Sequence, residues 1–599
     1  MRSVRKKTLA LLTLGFCLGI LPFFNANVVE ADDEIIGPFF EIGLLVPNSC
    51  AIRNQHASLM ADQFPKIGIG IHTFDHTGWA EISPRTWGWP NDTVIPTHSE
   101  GGFDLLFIGW SWGLDWNPIG LFESWNTPPV DDNFYQYNNS EYDAASINYS
   151  NSYNSSELDY WGKKLQSYLY DDLPQITVMS YLNLFAMDTD FTGWDSILWS
   201  YCYQSMENWQ IPGQSEFHYA TPADFEDFMI YKHESDYDAQ WLNQIYNGLI
   251  ERSANPIDNR QYTSHIASSW STTDGVNYTV HLNPDAVWAD GTPITTADVD
   301  FSYKLQITPA FGNPDFTYWS QYLRNNSVYM VDSDTCIISF NKTYMFQDGN
   351  LGLHLVPKHI WENIPYDQME QQALNWSKDD PSKIFGAGPY KLHTYNGTTG
   401  TIRLTRNDYY DDWTGVTPYF DDIYFEFYSN KEGALEALVN GEIDMVDAQF
   451  RPQLEEVPAG TKYELVKEDG YQEMALNMMH PYFGTGALCP IAGEESARYV
   501  RKAMSHCVPR EMICEELFSG LAEPGVTACP SIATVYNTSL EPYEYNLALA
   551  LEYMKGAGYD VTVPSPTTSV GITLPIFMSI LACIATATHC ISKIIKRNF

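Results

Sequence analysis

The residues best suited to chemistry lie at 109–118, GWSWGLDWNP, where Trp110, Trp112 and Trp116 surround a single carboxylate, Asp115. Aromatic walls and a few fixed charges are what the capture of a small ligand requires. A carboxylate in an aromatic, partly desolvated cleft attracts an ammonium more strongly than one in water. The same tryptophans also suit a packed core, since Trp is mostly buried, and at Trp110 and Trp112 both uses stay open. Catalysis needs a different constellation. The chain has no HExxH helix, P-loop or Rossmann glycine fingerprint. Asp and Glu are so abundant that carboxylate pairs can be drawn anywhere. Asp188 and Asp190 lack the rest of a calcium loop and read as a polar turn. His359, between Pro357 and Trp361, reads as structural, and Lys163 with Lys164 as a solvated helix face. The expectation is a binding protein, not an enzyme, with no cofactor and no metal.

The elements that position these residues belong to a large exported body. With 599 residues, 44% of them hydrophobic, the chain can bury a core spread over two or three lobes. A formal net charge of −42 repels phosphate backbones and excludes nucleic acid as a partner. It also repels anionic headgroups, so a membrane contact needs a hydrophobic device. Arg2, Arg5, Lys6 and Lys7 precede an apolar run over 9–24, and small residues follow to Ala31. This is the layout of a signal peptide at 1–31, with a retained signal-anchor as the alternative. Residues 561–570 read as a Pro/Ser/Thr stalk, 571–592 as a transmembrane helix and 593–599 as a cytoplasmic tail. Lys593, Lys596 and Arg597 put that tail inside and the body outside. A lipid-anchor signal at the C-terminus fits the basic tail poorly.

An oxidising exterior permits disulfides, but Cys50, Cys202, Cys336, Cys489, Cys507, Cys514 and Cys529 are odd in number, and no CxxC occurs. Cys489 with Cys529 is the candidate bridge. Glycosylation triplets stand at Asn91, Asn138, Asn148, Asn154, Asn277, Asn325, Asn341, Asn375, Asn396 and Asn537.

Within the body, Tyr278, Val280 and Leu282 alternate with polar neighbours, the period of a half-buried strand. Pro284, Asp290 and Gly291 form turns. Thr295 and Asp298 have capping-box spacing, which predicts a helix over 296–306.

This run resembles family 5 of the extracellular solute-binding proteins of ABC importers, the oligopeptide, dipeptide and nickel receptors. Their Trp–x–Asp–Gly–x–Pro turn and Asp–Val helix stand here as Trp288, Asp290, Gly291, Pro293, Asp298 and Val299. Similar stretches follow in family order at 357–362 (PKHIWE), 386–392 (GAGPYKL), 407–413 (NDYYDDW), 432–445 (EGALEALVNGEIDM), 497–520 and 547–559. The family's chain would then continue for roughly another 150 residues, a domain-sized piece. Residues 42–194 resemble that piece: 57–70 (ASLMADQFPKIGIG) a helix ending in a strand, 103–118 the family's Trp-rich segment, 160–172 a helix, and 173–187 (LPQITVMSYLNLFAM) the strand returning to the first lobe.

The resemblance thus implies a circularly permuted protein. Its fold class is α/β, a two-lobed periplasmic-binding-protein-like fold (type II, large cluster C-like) with a subsidiary domain, plus a C-terminal transmembrane helix. Residues 42–194 would be the family's closing third, 195–234 a new linker, 235–424 the first lobe with the subsidiary domain, and 425–560 the first part of the second lobe. The chain would cross between lobes near 173–177 and 422–427, and its two ends would sit together on the second lobe. An unrelated module at 42–194 is the alternative. In peptide-binding members an Asp of this motif pairs with the ligand's α-ammonium and a nearby Trp stacks on the peptide; the matching positions are Asp115 and Trp112, with Trp110 beside them. The resemblance places Tyr318 and Trp319 near the cleft on the opposite lobe. The implied function is a membrane-anchored extracellular receptor that captures peptides or similar small solutes for ABC permease subunits. A cell-surface structural or adhesion glycoprotein that kept the fold without transport is the alternative.

Overall fold

A computed structural model describes residues 37–561 apart from 92, 130–131, 201–202 and 254–260. The expected signal peptide, transmembrane helix and tail lie outside the described residues. Among the described residues, no helix is long and apolar enough to cross a membrane.

Chain order gives β1 (Phe40–Pro47), β2 (Ile69–Thr77), β3 (Leu105–Ser111), β4 (Gln175–Met187), β5 (Glu216–Thr221), β6 (Ile250–Arg252), β7 (Tyr262–Ser264), β8 (Ala267–Ser271) and β9 (Asn277–Leu282). There follow β10 (Val328–Met330), β11 (Thr335–Ser339), β12 (Tyr390–Asn396), β13 (Thr401–Arg406), β14 (Asp422–Phe427), β15 (Met445–Val446), β16 (Lys462–Lys467), β17 (Gly470–Leu476) and β18 (Ala522–Pro524). One large sheet runs β12-β13-β14-β5-β15-β4-β17-β3-β1-β2, with β16 and β18 also on β4. A four-stranded antiparallel sheet, β10-β11-β9-β8, forms a subsidiary unit, and β6 pairs with β7.

The large sheet is two half-sheets joined by β4. Gln175–Met179 of β4 pairs with β17 and Met179–Tyr181 with β18, whereas Leu182–Met187 pairs with β16. The backbone therefore passes from one half to the other at 181–182. It returns between β16 and β17, where the Glu468 N–H donates to the Tyr181 carbonyl at 3.1 Å. These crossings differ from the expected 173–177 and 422–427. The apolar run of β4 is continuous, so nothing in it marks where its partners change. Asp422–Phe427 is β14, paired on both sides inside the half-sheet of the central lobe, with Ile423 and Phe425 buried. Residues 425–467 accordingly stay with that lobe.

The other half-sheet belongs to the lobe that carries both described ends. Parallel β1 and β3 have both faces covered, as parallel strands require, while β2 at the sheet edge is mostly half-buried or exposed. Along β1, Ile42, Leu44 and Val46 face a core shared with Met60, Val500, Met504 and Met554, while Leu45 faces the opposite core with Trp116, Tyr149, Leu165 and Leu169. Residues 40–181 and 470–561 thus build one unit. Two buried arginines tie them: Arg501 donates to the Asp172 carbonyl at 2.6 Å and Arg510 to the Thr177 carbonyl at 2.9 Å. The ends sit together, with the Phe39 and Tyr559 rings 4.8 Å apart.

The segment 195–234 is more than a linker. Its β5 lies inside the central lobe's half-sheet, parallel to both β14 and β15, with Phe217 and Tyr219 fully buried. The candidate bridge is absent as well: Cys489 and Cys529 are free thiols buried in different cores, on opposite faces of the sheet. Asn537 is 7% exposed and is held in the interior, its N–H donating to the Gln166 side chain.

Candidate functional site

A cavity of about 310 Å³ opens between the terminal lobe and the subsidiary unit. Asp115 enters it from the turn after β3. Gly113, at φ +79°, takes the left-handed backbone that this turn needs. Leu114 and Trp116 are fully buried on either side of Asp115. Their carbonyls are fixed by the Thr534 N–H at 3.0 Å and the Tyr149 hydroxyl at 2.7 Å. The carboxylate between them is therefore set by the core rather than by loop chance.

Across the cleft, Arg252 ends β6, directly opposite Tyr262 on β7. Its guanidinium lies 4.4 Å from the Tyr262 ring and 5.5 Å from Tyr203, and it forms an ion pair with the Asp115 carboxylate. Burial works against the Arg252 charge, but Asp115, together with Tyr262 and Tyr203, outweighs it and holds the guanidinium above its ordinary range. One ion pair thus spans the two sides of the cleft.

Behind it stand Gln347 and Asp348, on the short helix Gln347–Leu351, with Trp270 on β8 and Tyr278 on β9. Burial pushes the Asp348 carboxyl up, against the Trp270 indole and the Arg252 charge, which act the other way. Gln347 is 2% exposed, and neither its Oε1 nor its Nε2 has a hydrogen-bond partner.

Of the residues singled out in the sequence, Asp115 lines this cavity. Trp110 and Trp112 stack on each other at 5.8 Å against the terminal lobe's core and do not line it. The Trp110 indole donates to Glu473 at 3.1 Å, as does the Tyr135 hydroxyl at 2.5 Å. Burial pushes the Glu473 carboxyl up to about 7 against those two hydrogen bonds. Trp112 sits at a lobe crossing, its backbone N–H donating to the Asp469 carbonyl. Tyr318 stands behind the cleft wall and donates to Asn350 Oδ1 at 2.8 Å, while Trp319 packs in the subsidiary core at 8% exposure. Arg252, Gln347 and Asp348 escaped sequence reasoning. The available signal was an arginine two positions after the mostly apolar stretch 245–250 in a strongly acidic chain.

Three other expectations bear on what the site is not. His359 is a surface residue whose Nε2 lies 2.9 Å from Asp290. The Asp190 N–H donates to Asp188 Oδ1 at 2.7 Å, a local turn. Lys163 pairs with Asp159 one helical turn away. Among the described residues, no group of three or more His, Cys, Asp or Glu could hold a metal ion.

Comparison with known proteins supplies the family. The description "Bacterial extracellular solute-binding proteins, family 5 Middle" matches residues 261–575, just over half of the chain. A putative ABC transporter peptide-binding protein of Brucella ovis is 24% identical over 289 residues, 48% of this chain and 50% of that protein. The probable deoxycholate-binding periplasmic protein YgiS of Escherichia coli is 22% identical over 375 residues, 60% of this chain and 66% of its own. The chain spans about half the length of the first of these relatives. Among solved structures, the substrate-binding protein CtaP of Listeria monocytogenes aligns at a TM-score of 0.42 and 20% identity, covering 58% of this chain and 66% of that one. The match over 261–575 takes in the Trp288–Val299 turn and helix, the subsidiary sheet, and Asp348 of the cleft. The chain therefore belongs to family 5 of the bacterial extracellular solute-binding proteins, a family that binds solutes rather than transforming them.

Proposed function

We propose that this chain is an exported, membrane-anchored receptor that captures a short peptide or similar small solute between its lobes and delivers it to an ABC permease. The observation that carries this reading is the Arg252–Asp115 ion pair across the mouth of an aromatic cavity. The guanidinium occupies the place that a ligand's α-ammonium would take on Asp115. Binding then exchanges one cation for another on a carboxylate that is already positioned. A cavity of about 310 Å³ is at the small end of ligand pockets, which run from roughly 300 to 1,000 Å³, so the solute is compact. Trp110 and Trp112 brace the strand that leads to Asp115, and Tyr318 and Trp319 brace the opposite wall.

The anchor is the apolar segment 571–592, with the signal peptide at 1–31 directing export. We also read the chain as circularly permuted. The family match begins at 261, yet residues 40–187 supply four strands of the same sheet, and the two ends meet on one lobe, as easy permutation requires.

Thermal-shift and native mass-spectrometric screens against mixed di- and tripeptides test the receptor reading. A ligand-dependent shift that Asp115→Ala removes supports it. Binding unchanged by Asp115→Ala refutes the ammonium assignment, and no shift from any peptide, sugar or metal-chelate pool refutes the receptor. Moving residues 38–194 behind 561 restores the family order; a rearranged chain that folds and binds as the natural one does supports the permutation, and one that folds without binding counts against it.

A further inference from the structure

Gln347 is an unusual wall residue. It is 2% exposed, it lines the inter-lobe cavity, and both atoms of its amide lack partners. Buried polar atoms are paired in more than about nine cases in ten, so a side chain with an unused donor and an unused acceptor is prepared for a group that offers both. A peptide unit does, and a carboxamide can pair with its C=O and N–H together.

Its neighbour Asp348 lines the same cavity, as does Asp115, and among the described residues the only cationic side chain in the lining is Arg252. Asp159, also in the lining, is taken by Lys163 at 2.7 Å. One guanidinium therefore faces two carboxylates, and the rings of Tyr262, Trp270 and Tyr278 surround them. Aromatic faces attract cations and do nothing comparable for anions.

We infer that Gln347 and Asp348 form a second recognition point, which reads a peptide unit and an adjoining cationic side chain and so selects short basic peptides. This rests on the receptor reading above, with Asp115 holding the α-ammonium. Gln347 then holds the peptide unit and Asp348 accepts the lysyl ammonium or arginyl guanidinium. Acidic peptides meet two carboxylates and are rejected. The selectivity follows from the same principle by which a site built to hydrogen-bond one group rejects ligands that lack it.

The test is calorimetric titration of the full chain with lysyl-alanine, alanyl-alanine and glutamyl-alanine at one salt concentration. The natural protein should bind the lysyl peptide at least tenfold more tightly than the alanyl peptide, and the glutamyl peptide not measurably. Asp348→Asn should bring the lysyl-to-alanyl ratio close to one. Gln347→Leu should weaken the lysyl peptide tenfold or more and raise the melting temperature of the empty protein, since an unpaired amide is replaced by apolar atoms. A charge preference that survives Asp348→Asn overturns the inference while the receptor stands, as does lysyl-peptide affinity unchanged by Gln347→Leu. If none of the three binds but a larger peptide does, the inference falls and the receptor survives. If no peptide binds at all, the inference falls, and if no other small solute binds either, the receptor falls with it.

Discussion

Asp115→Asn should spring the cleft open. The substitution keeps the size of the side chain and removes its charge. In the closed state the Arg252 side chain is only 3% exposed and would lose its carboxylate, keeping the faces of Tyr262 and Tyr203. Breaking a fully buried ion pair costs about 3–5 kcal/mol, and an exposed one is worth about 0–1 kcal/mol. Asp115 is 28% exposed, which places this pair between the limits, at about 2 kcal/mol. With the lobes apart both groups are hydrated, so the whole loss falls on the open–closed equilibrium. At about 1.4 kcal/mol per tenfold, that is a shift of roughly thirtyfold toward open. Single-molecule energy transfer reads it, with dyes at Tyr160 of the terminal lobe and Tyr329 of the subsidiary sheet, which are 55% and 66% exposed. Charge exchange, Asp115→Arg with Arg252→Asp, should recover part of the closed population as a double-mutant cycle. Salt should matter little, because a shielded pair is screened far less than a surface one. A change of less than twofold in the open-to-closed ratio of Asp115→Asn would refute the idea that this ion pair holds the lobes.

Three further outcomes are expected. Glu473, its carboxyl pushed up to about 7 by burial, binds its proton more tightly folded than unfolded. It therefore favours folding below pH about 4.5, and that contribution is lost as pH rises through about 7. The loss is on the order of 3 kcal/mol, and Glu473→Gln should flatten the stability profile over that window in urea titrations. Asp298→Ala should lower stability by about 2–4 kcal/mol, because the carboxylate accepts the N–H groups of Thr295 at 2.9 Å and Lys358 at 3.0 Å; chemical denaturation checks it. Arg510→Met should cost roughly 3 kcal/mol by stranding the carbonyls of Thr177, Ser505 and Tyr543, read as a lower urea midpoint.

Local chemistry made part of this fold legible. The Thr295–Asp298 capping box opens a helix at Thr296–Gln306, and the alternation at Tyr278, Val280 and Leu282 marks the buried face of β9, because each depends on residues a few positions apart. The short strand β5 was hidden among Pro and Gly neighbours; its Phe217 and Tyr219 alternate with Glu216 and His218, but only its sheet partners make a strand of six such residues. The lobe crossings are hidden in the same way, since hydrogen-bond partners change within one unbroken apolar strand. At the site, Asp115 announced itself as a lone carboxylate among tryptophans. Its partner Arg252 lies 137 positions away, and no local pattern encodes a contact over that distance. Trp110 was equally ambiguous until Glu473, another distant residue, gave its indole a buried acceptor.

The strand that passes through both half-sheets also sets a schedule. Trp110 on β3 and its partner Glu473 on β17 are 363 positions apart. At synthesis rates of about 5–20 residues per second, β3 emerges roughly 20–70 s before the strand it must pair with. Through that interval β1–β3 present apolar faces and an open edge, the features that invite aggregation. The central lobe, by contrast, finds all its strands between β4 and β16. It can therefore mature first and hold β4 extended as a template, on which β17 and β18 arrive last. The terminal lobe is then closed only by residues 470–561, made after the central lobe is complete, and its refolding should be the slow phase, as high contact order dictates.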